Sequence, residues 1–314
     1  MTVQQRTTEL FEAQITGWPL LGANWVQLDG AQLKTFRFDG FTINVQFNPK
    51  RITSSAAKVD RSSIEKRPCF LCPENRPPEE DHVAFGSDYE ILCNPFPIFR
   101  KHYTIAKADH TPQVIDPEFP RLLDLSRELP ELVVFYNAPS CGASAPDHMH
   151  FQSGSRGFMP VEDEIGVLQE RYGRLLSGDN NSSITAVDDG LRRFFFLESD
   201  NRSVIETAFS HLSAFMRSHN GGEEPMLNIL AYYNTKWRVM LFPREKHRPW
   251  QFFEEGEKNI LLSPAAVDMG GTLITPLEKD FKKISREDIE DIFSQICLSE
   301  EQFTELIKFM EARI

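Results

Sequence analysis

In residues 148–152, HMHFQ, polar and apolar side chains alternate with a period of two. Successive side chains on a β-strand point to opposite faces, so His148, His150 and Gln152 share one face and Met149 and Phe151 the other. The apolar pair can pack on a core while the three polar groups line a cleft. An edge strand with solvated histidines would show the same pattern. The small-residue loop just before, CGASAPD (141–147), favours a functional strand.

Strand signals recur along the chain. TFRFDGFTINVQF (35–47) alternates around Asp39-Gly40 and predicts a hairpin. YEILC (89–93) and HYTIA (102–106) read as strands around the turn NPFP, and ELVVFYN (131–137) as a buried strand. RRFFFLES (192–199) is a further strand, and MLNILAYYN (226–234) with WRVMLFPR (237–244) a second hairpin. Between them, helical periodicity marks EFPRLLDLSREL (118–129), VEDEIGVLQERYGRLL (161–176) and SVIETAFSHLSAFMRSH (203–219). Ser285 with Asp288 and Ser299 with Gln302 open two terminal helices with capping-box spacing. The fold class expected is α+β, with room for two related halves: residues 1–158, carrying the motifs, and residues 159–314.

Bulk properties exclude several partners. The net charge is −12, which repels polyphosphate backbones and argues against a nucleic acid polymer. A small anionic ligand is compatible if basic side chains converge in one cleft. The five cysteines are odd in number and scattered, unlike a disulfide framework. The first residues, MTVQQRTTELFEAQ, lack the apolar run of a signal peptide, and no stretch reaches the ~18 apolar residues of a membrane span. The expectation is a cytoplasmic protein without a membrane partner.

Two further segments can carry chemistry. Cys69 and Cys72 in CFLCPEN are spaced to grip one tetrahedral metal, with two more ligands needed from elsewhere; a pair of buried cysteines in a turn is the plain alternative. No βαβ unit of thioredoxin type follows them, which disfavours a redox role. NPKRITSSAAKVDRSSIEKRP (48–68) reads as a polar, basic loop. FPREKHRP (242–249) gathers Arg244, Lys246, His247 and Arg248 after a strand, either as solvated charges or as a basic clamp on substrate phosphates. Phe96 of NPFP shapes a turn or stacks on a base. RRFFF reads as core and EEGE (254–257) as a solvated loop.

Taken in order, NPKRI (48–52), CFLCPEN (69–75), HYTIAKADH (102–110) and FYNAPSCGASAPDHMHFQ (135–152) resemble the histidine-triad superfamily. The branch the chain resembles most is that of galactose-1-phosphate uridylyltransferase, diadenosine tetraphosphate phosphorylase and GDP-galactose phosphorylase. The motifs span 48–152, and FPREKHRPW (242–250) is similar to a weaker family segment. The resemblance implies a HIT-like fold: two related halves, each an antiparallel sheet with flanking helices, the second half degenerate.

It also implies an enzyme, a nucleotidyltransferase. His150 would attack the α-phosphorus of a nucleotide, since an imidazole nitrogen is nucleophilic at neutral pH without a helper base. Gln152 stands where the hydrolytic branch has a third histidine; an amide can hydrogen-bond phosphoryl oxygens but cannot act as a general acid. The implied outcome is a nucleotidyl-His150 intermediate that waits for an acceptor phosphate. Cys69, Cys72, His110 and His148 would be the ligands of a structural zinc. Arg51, Asn137, Ser144 and the backbone near Gly142 would bind phosphate, with Arg244 and Arg248 from the second half.

Implied substrates are a nucleotide sugar or a dinucleoside polyphosphate with inorganic or sugar phosphate, and a homodimer is compatible with the family. One departure stands out. The family spacing is Ser-x-Pro-His-x-His, and here Asp147 is one residue extra. Cys141 is a loop spacer or a further thiolate, and His102 and His82 compete with His110 for the metal. A dinucleoside polyphosphate hydrolase and a non-catalytic, zinc-stabilised nucleotide-binding protein are the alternative functions.

Overall fold

The computed structural model describes residues 1–52 and 61–314. Of the basic loop expected over 48–68, residues 49–51 form a 3-10 turn and Arg61–Lys66 a short helix, while 53–60 lie outside the described residues.

Most of the chain is organised around one ten-stranded antiparallel sheet. Its first five strands are β3 (His82–Phe85), β4 (Tyr89–Cys93), β5 (His102–Lys107), β6 (Leu132–Asn137) and β7 (His150–Ser155). The other five are β8 (Gly173–Gly178), β9 (Ser182–Asp188), β10 (Arg193–Ser199), β11 (Leu227–Asn234) and β12 (Lys236–Pro243). The spatial order is β3-β4-β5-β7-β6-β11-β12-β10-β9-β8. Both quintets therefore follow one plan: a three-strand meander, a crossover helix, then two strands of which the earlier lies inside. They meet where β6 pairs antiparallel with β11, from Asn137↔Asn228 to Val134↔Ala231. The fold class is the α+β, HIT-like arrangement expected, with the two five-stranded sheets fused into one.

A small second sheet joins distant parts of the chain. The predicted hairpin forms as β1 (Gln32–Arg37) and β2 (Thr42–Phe47), with Gly40 at φ 82 in the turn, a conformation glycine adopts freely. A strand not foreseen, β13 (Thr272–Thr275), pairs parallel with β2.

Alternation sorts the large sheet into two faces. Met149 and Phe151 enter the core on the back face, against helices Phe119–Glu128, Arg202–His219 and Glu300–Glu311. Phe119 stacks on Phe209 there with ring centroids 3.7 Å apart. The front face is covered by the small sheet and by helices Val161–Tyr172 and Arg286–Ile296. Both terminal capping boxes form: Ser285 receives the Asp288 amide and Ser299 the Gln302 amide. The helix expected over 161–176 stops at Tyr172. Gly173 ends it in an extended conformation, and Arg174 and Leu175 run on as the edge strand β8. The N-terminal helices Val3–Gly17 and Pro19–Val26 carried too weak a periodicity to be foreseen. Among the described residues no helix is long and apolar enough to cross a membrane.

Candidate active site and metal centre

Four residues from three segments converge beside the sheet. Cys69, Cys72, His110 and His148 bring their ligand atoms within 4.8 Å of one another. Cys69 Sγ is 3.3 Å from His148 Nδ1, Cys72 Sγ is 3.6 Å from the same nitrogen, and Cys72 Sγ is 3.1 Å from His110 Nδ1. A tetrahedral ion bonded to sulfur and nitrogen sets its ligand atoms about 3.3–3.8 Å apart; two of these separations fall in that range, and the 4.8 Å spread closes on an ion with small side-chain shifts.

The chemistry of the donors agrees. Burial and the adjacent Cys69 push the Cys72 thiol up, so two thiolates this close need a cation beside them. His148 is fully buried, and its Nε2–H donates to the Lys107 carbonyl at 2.7 Å, which turns the Nδ1 lone pair to the sulfurs. The turn is held from within: Cys72 N–H donates to Cys69 O, and the Asn75 side chain to the same carbonyl at 2.9 Å. The quartet can thus hold a metal ion.

Asp147, the additional residue of the loop, belongs to this centre. It pairs with Arg67 at 2.8 Å and lies 3.8 Å from His110 Nε2. Arg67 in turn lies over the Phe70 ring. The extra residue thereby ties the histidine loop to the cysteine turn. His102 and His82, the rival ligands, stand elsewhere: His102 beside Gln152 and His82 near Glu90.

His148 precedes the strand, which starts at His150. His150 is 3% exposed. Its backbone is clamped by a side chain that the sequence did not single out. Gln113 Oε1 accepts the His150 amide at 2.8 Å, and Gln113 Nε2 donates to the carbonyls of His150 and Asn137. His150 Nδ1 lies 2.8 Å from the His148 carbonyl. A carbonyl only accepts, so the proton sits on Nδ1 and Nε2 carries its lone pair. Burial pushes this imidazole down to about 4, which keeps it neutral at pH 7.

Gln152 is oriented by His102. The Ile98 amide donates to His102 Nδ1 at 3.2 Å, so His102 Nε2 carries the hydrogen and donates to Gln152 Oε1 at 3.0 Å. That fixes the amide with its NH2 away from His102. His102 is fully buried, and desolvation lowers its pKa to about 3, so the donor is neutral. Replacing His102 with phenylalanine is expected to free the Gln152 amide and, if Gln152 acts on bound substrate, to lower kcat by on the order of 10-fold with KM little changed, as for one lost orienting hydrogen bond. Steady-state kinetics with a metal assay check this. Activity within twofold of the parent, at unchanged metal content, would refute it.

Two cavities meet at Gln152. The larger, about 640 Å³, is mainly apolar and takes in Trp18, Phe70, Leu92, Phe96 and His150. The smaller, about 50 Å³, is lined by Arg51, Asn137, Arg248, His247 and Asp268. Arg51, Ser144 and Gln152 border both. Asn137 Oδ1 accepts from Asn228 and from the Ala266 amide, which leaves its nitrogen without a partner among the described residues. Gly142 sits at φ 97 where a Cβ would lie 2.5 Å from the Ala265 Cβ, so a side chain there would push the second-half segment away.

Arg248 donates to Ser263 Oγ at 2.9 Å and lies over Phe252. Arg244 stands apart from both cavities. It is 1% exposed, and its guanidinium donates to Asn228 Oδ1 and to the carbonyls of Ile296, Pro264, Lys246 and His247. A donor set this fully used holds the cavity wall and has nothing left for a phosphate. Gln113 and Asp268 are the cavity and support residues that the motifs did not reveal, while His102, read as a rival metal ligand, supports Gln152 instead, and His247 of the basic segment lines the small cavity.

The fused five-stranded sheets, the His-x-His-x-Gln segment and the cysteine–histidine quartet agree with the HIT-like fold that the sequence resemblance implied. Residues 168–312 match the family described as GDPGP1-like, C-terminal domain, and residues 10–155 match a domain of unknown function, DUF4922. No curated protein sequence matches the chain. Yeast Ap4A phosphorylase Apa2 in complex with Ap4A has a similar structure: TM-score 0.60 at 15% identity, over 95% of this chain and 99% of that one. Its complex with AMP gives 0.58 at 14% identity, over 90% and 96%. At these identities the likeness is one of fold.

Proposed function

We propose that the protein transfers a nucleotidyl group from a nucleoside diphosphate sugar or a dinucleoside polyphosphate to a phosphate acceptor, through a covalent nucleotidyl-His150 intermediate. The observation that carries this reading is the His150 side chain: neutral, with Nδ1–H held by a carbonyl and the Nε2 lone pair at a cavity that also takes in Gln152. Nε2 would attack the α-phosphorus, and the bond to the leaving phosphate would break. A phosphate is a weak base and needs no proton to depart, which suits a site where no general acid stands beside His150 among the described residues. Gln152 NH2 would donate to the phosphoryl oxygens as charge grows on them. An acceptor oxygen would then attack the same phosphorus, and the electron pair of the Pα–N bond would return to the imidazole.

The large cavity suits the base, with Phe96 and Phe70 as apolar walls, and the small one suits the acceptor anion. Arg51, Asn137, Gly142, Ser144 and Arg248 border the small cavity and would bind the phosphates. Arg244 would serve indirectly, through Asn228. The metal of the Cys69, Cys72, His110 and His148 quartet would be zinc, and when bound it would supply rigidity. Residues 1–158 would be the half that carries the chemistry. Residues 159–314 would be the degenerate half, since β12, the strand equivalent to β7, reads KWRVMLFP without a histidine.

Incubation with labelled UDP-, GDP- and ADP-sugars and dinucleoside tetraphosphates tests the reading. One donor class should leave acid-labile label on the protein, discharged by added phosphate. Equal cleavage with and without phosphate, and no label, would point to a hydrolase and reject transfer.

A further inference from the structure

The small cavity contains a group that an anion site should not hold. Resting on the acceptor reading above, its volume of about 50 Å³ suits an inorganic oxyanion and not a sugar, because one water alone takes at least ~10–15 Å³ on the same scale. Its polar lining is consistent with an anion. Arg51 and Arg248 face it, and His247 Nε2 is buried with no partner among the described residues. A buried polar nitrogen without a partner is costly unless a ligand completes it. Against this stands Asp268, 5% exposed and lining the same cavity.

The Asp268 carboxylate is partly used by the backbone. Oδ2 accepts the Ala265 amide at 2.8 Å and Oδ1 the Ile274 amide at 3.1 Å. A carboxylate offers about four acceptor positions, and its own backbone amide also approaches it, so the backbone leaves at least one position unused. Beside a bound anion that lone pair is repulsive unless the anion brings a hydrogen of its own. Inorganic phosphate and arsenate keep at least one O–H at neutral pH, whereas sulfate keeps none.

We propose that Asp268 accepts the P–O–H of an inorganic phosphate held beside Arg51 and Arg248, and so selects protonated oxyanions, phosphate and arsenate, over sulfate. The discrimination is of the kind in which the wrong ligand leaves a buried polar group facing another acceptor. The alternative is that Asp268 only anchors the loop of residues 265–274 and is indifferent to the anion.

Equilibrium binding of phosphate, arsenate and sulfate to the full chain decides between them. The wild-type protein should bind phosphate and arsenate at least tenfold more tightly than sulfate. Asp268→Asn should erase that ratio, and Arg248→Met should weaken all three anions together. Sulfate binding as tight as phosphate in the wild type overturns the proposal even if Asp268→Asn fails to fold, and leaves the acceptor reading standing. Phosphate binding untouched by Arg248→Met overturns it by removing the anion from this cavity. Absence of binding by any anion overturns it together with the acceptor reading, while covalent labelling of His150 reports separately on the first half of the reaction.

Discussion

His150→Ala is expected to abolish covalent nucleotidyl labelling and to lower turnover by on the order of 10⁴-fold or more, as for loss of an enzyme's nucleophile. The change is clean for structural reasons. The two bonds from Gln113 go to the His150 backbone, and those survive substitution. His148 keeps its contacts to the cysteines and to Lys107. The lost ring borders a cavity, so truncation enlarges existing space and opens no sealed void in the core. The variant should keep its metal and melt within a few degrees of the parent. Labelled nucleotide retained on His150→Ala would remove His150 from the mechanism altogether.

Changing Cys69 and Cys72 together to serine should release a metal bound by the quartet and lower Tm by roughly 5 °C. That assumes about 3 kcal/mol lost and ~1.5 °C per kcal/mol for a chain of 314 residues. Activity should fall as well. His148 would lose its sulfur neighbours and keep only the Lys107 carbonyl, and the His148 carbonyl is what fixes the tautomer of His150. Metal analysis, calorimetry and labelling on one preparation check all three. Loss of metal with full labelling would show that the quartet does not support the nucleophile, and an unchanged Tm would show that it does not support the fold.

The parts of the site legible in the sequence were those with a local period or spacing. The alternation in HMHFQ holds from His150 on, where Phe151 packs in the core between His150 and Gln152, which border the large cavity, whereas His148 lies before the strand and joins the cysteines. The cysteine pair announced itself by its spacing, and the terminal helices by their caps. What escaped depends on pairing between distant segments. His102 reaches Gln152 because β5 and β7 are registered with Thr104 opposite Gln152, which makes His102 a diagonal neighbour. Gln113 has no motif around it, and its function comes from the place where β6 ends and β7 begins. Asp268 reaches the cavity through Ala266, whose amide binds Asn137, 129 residues away in the chain. Arg244 was readable as a basic residue beside a strand, but its burial follows from Asn228 and Ile296, which only the packed structure brings near.

The seam between β6 and β11 has a consequence for how such a chain can change over time. The proposed nucleophile, His150, and the cysteine–histidine quartet all fall between residues 69 and 150, on one side of it. His247, Arg248, Ser263 and Asp268, which wall the small cavity, come from the other. A gene that recombined near the seam would inherit its reactive group from one parent and much of its preference for the incoming anion from the other. On the proposed mechanism, drift in the later segment would retune the acceptor while His150 and Gln152 stay fixed.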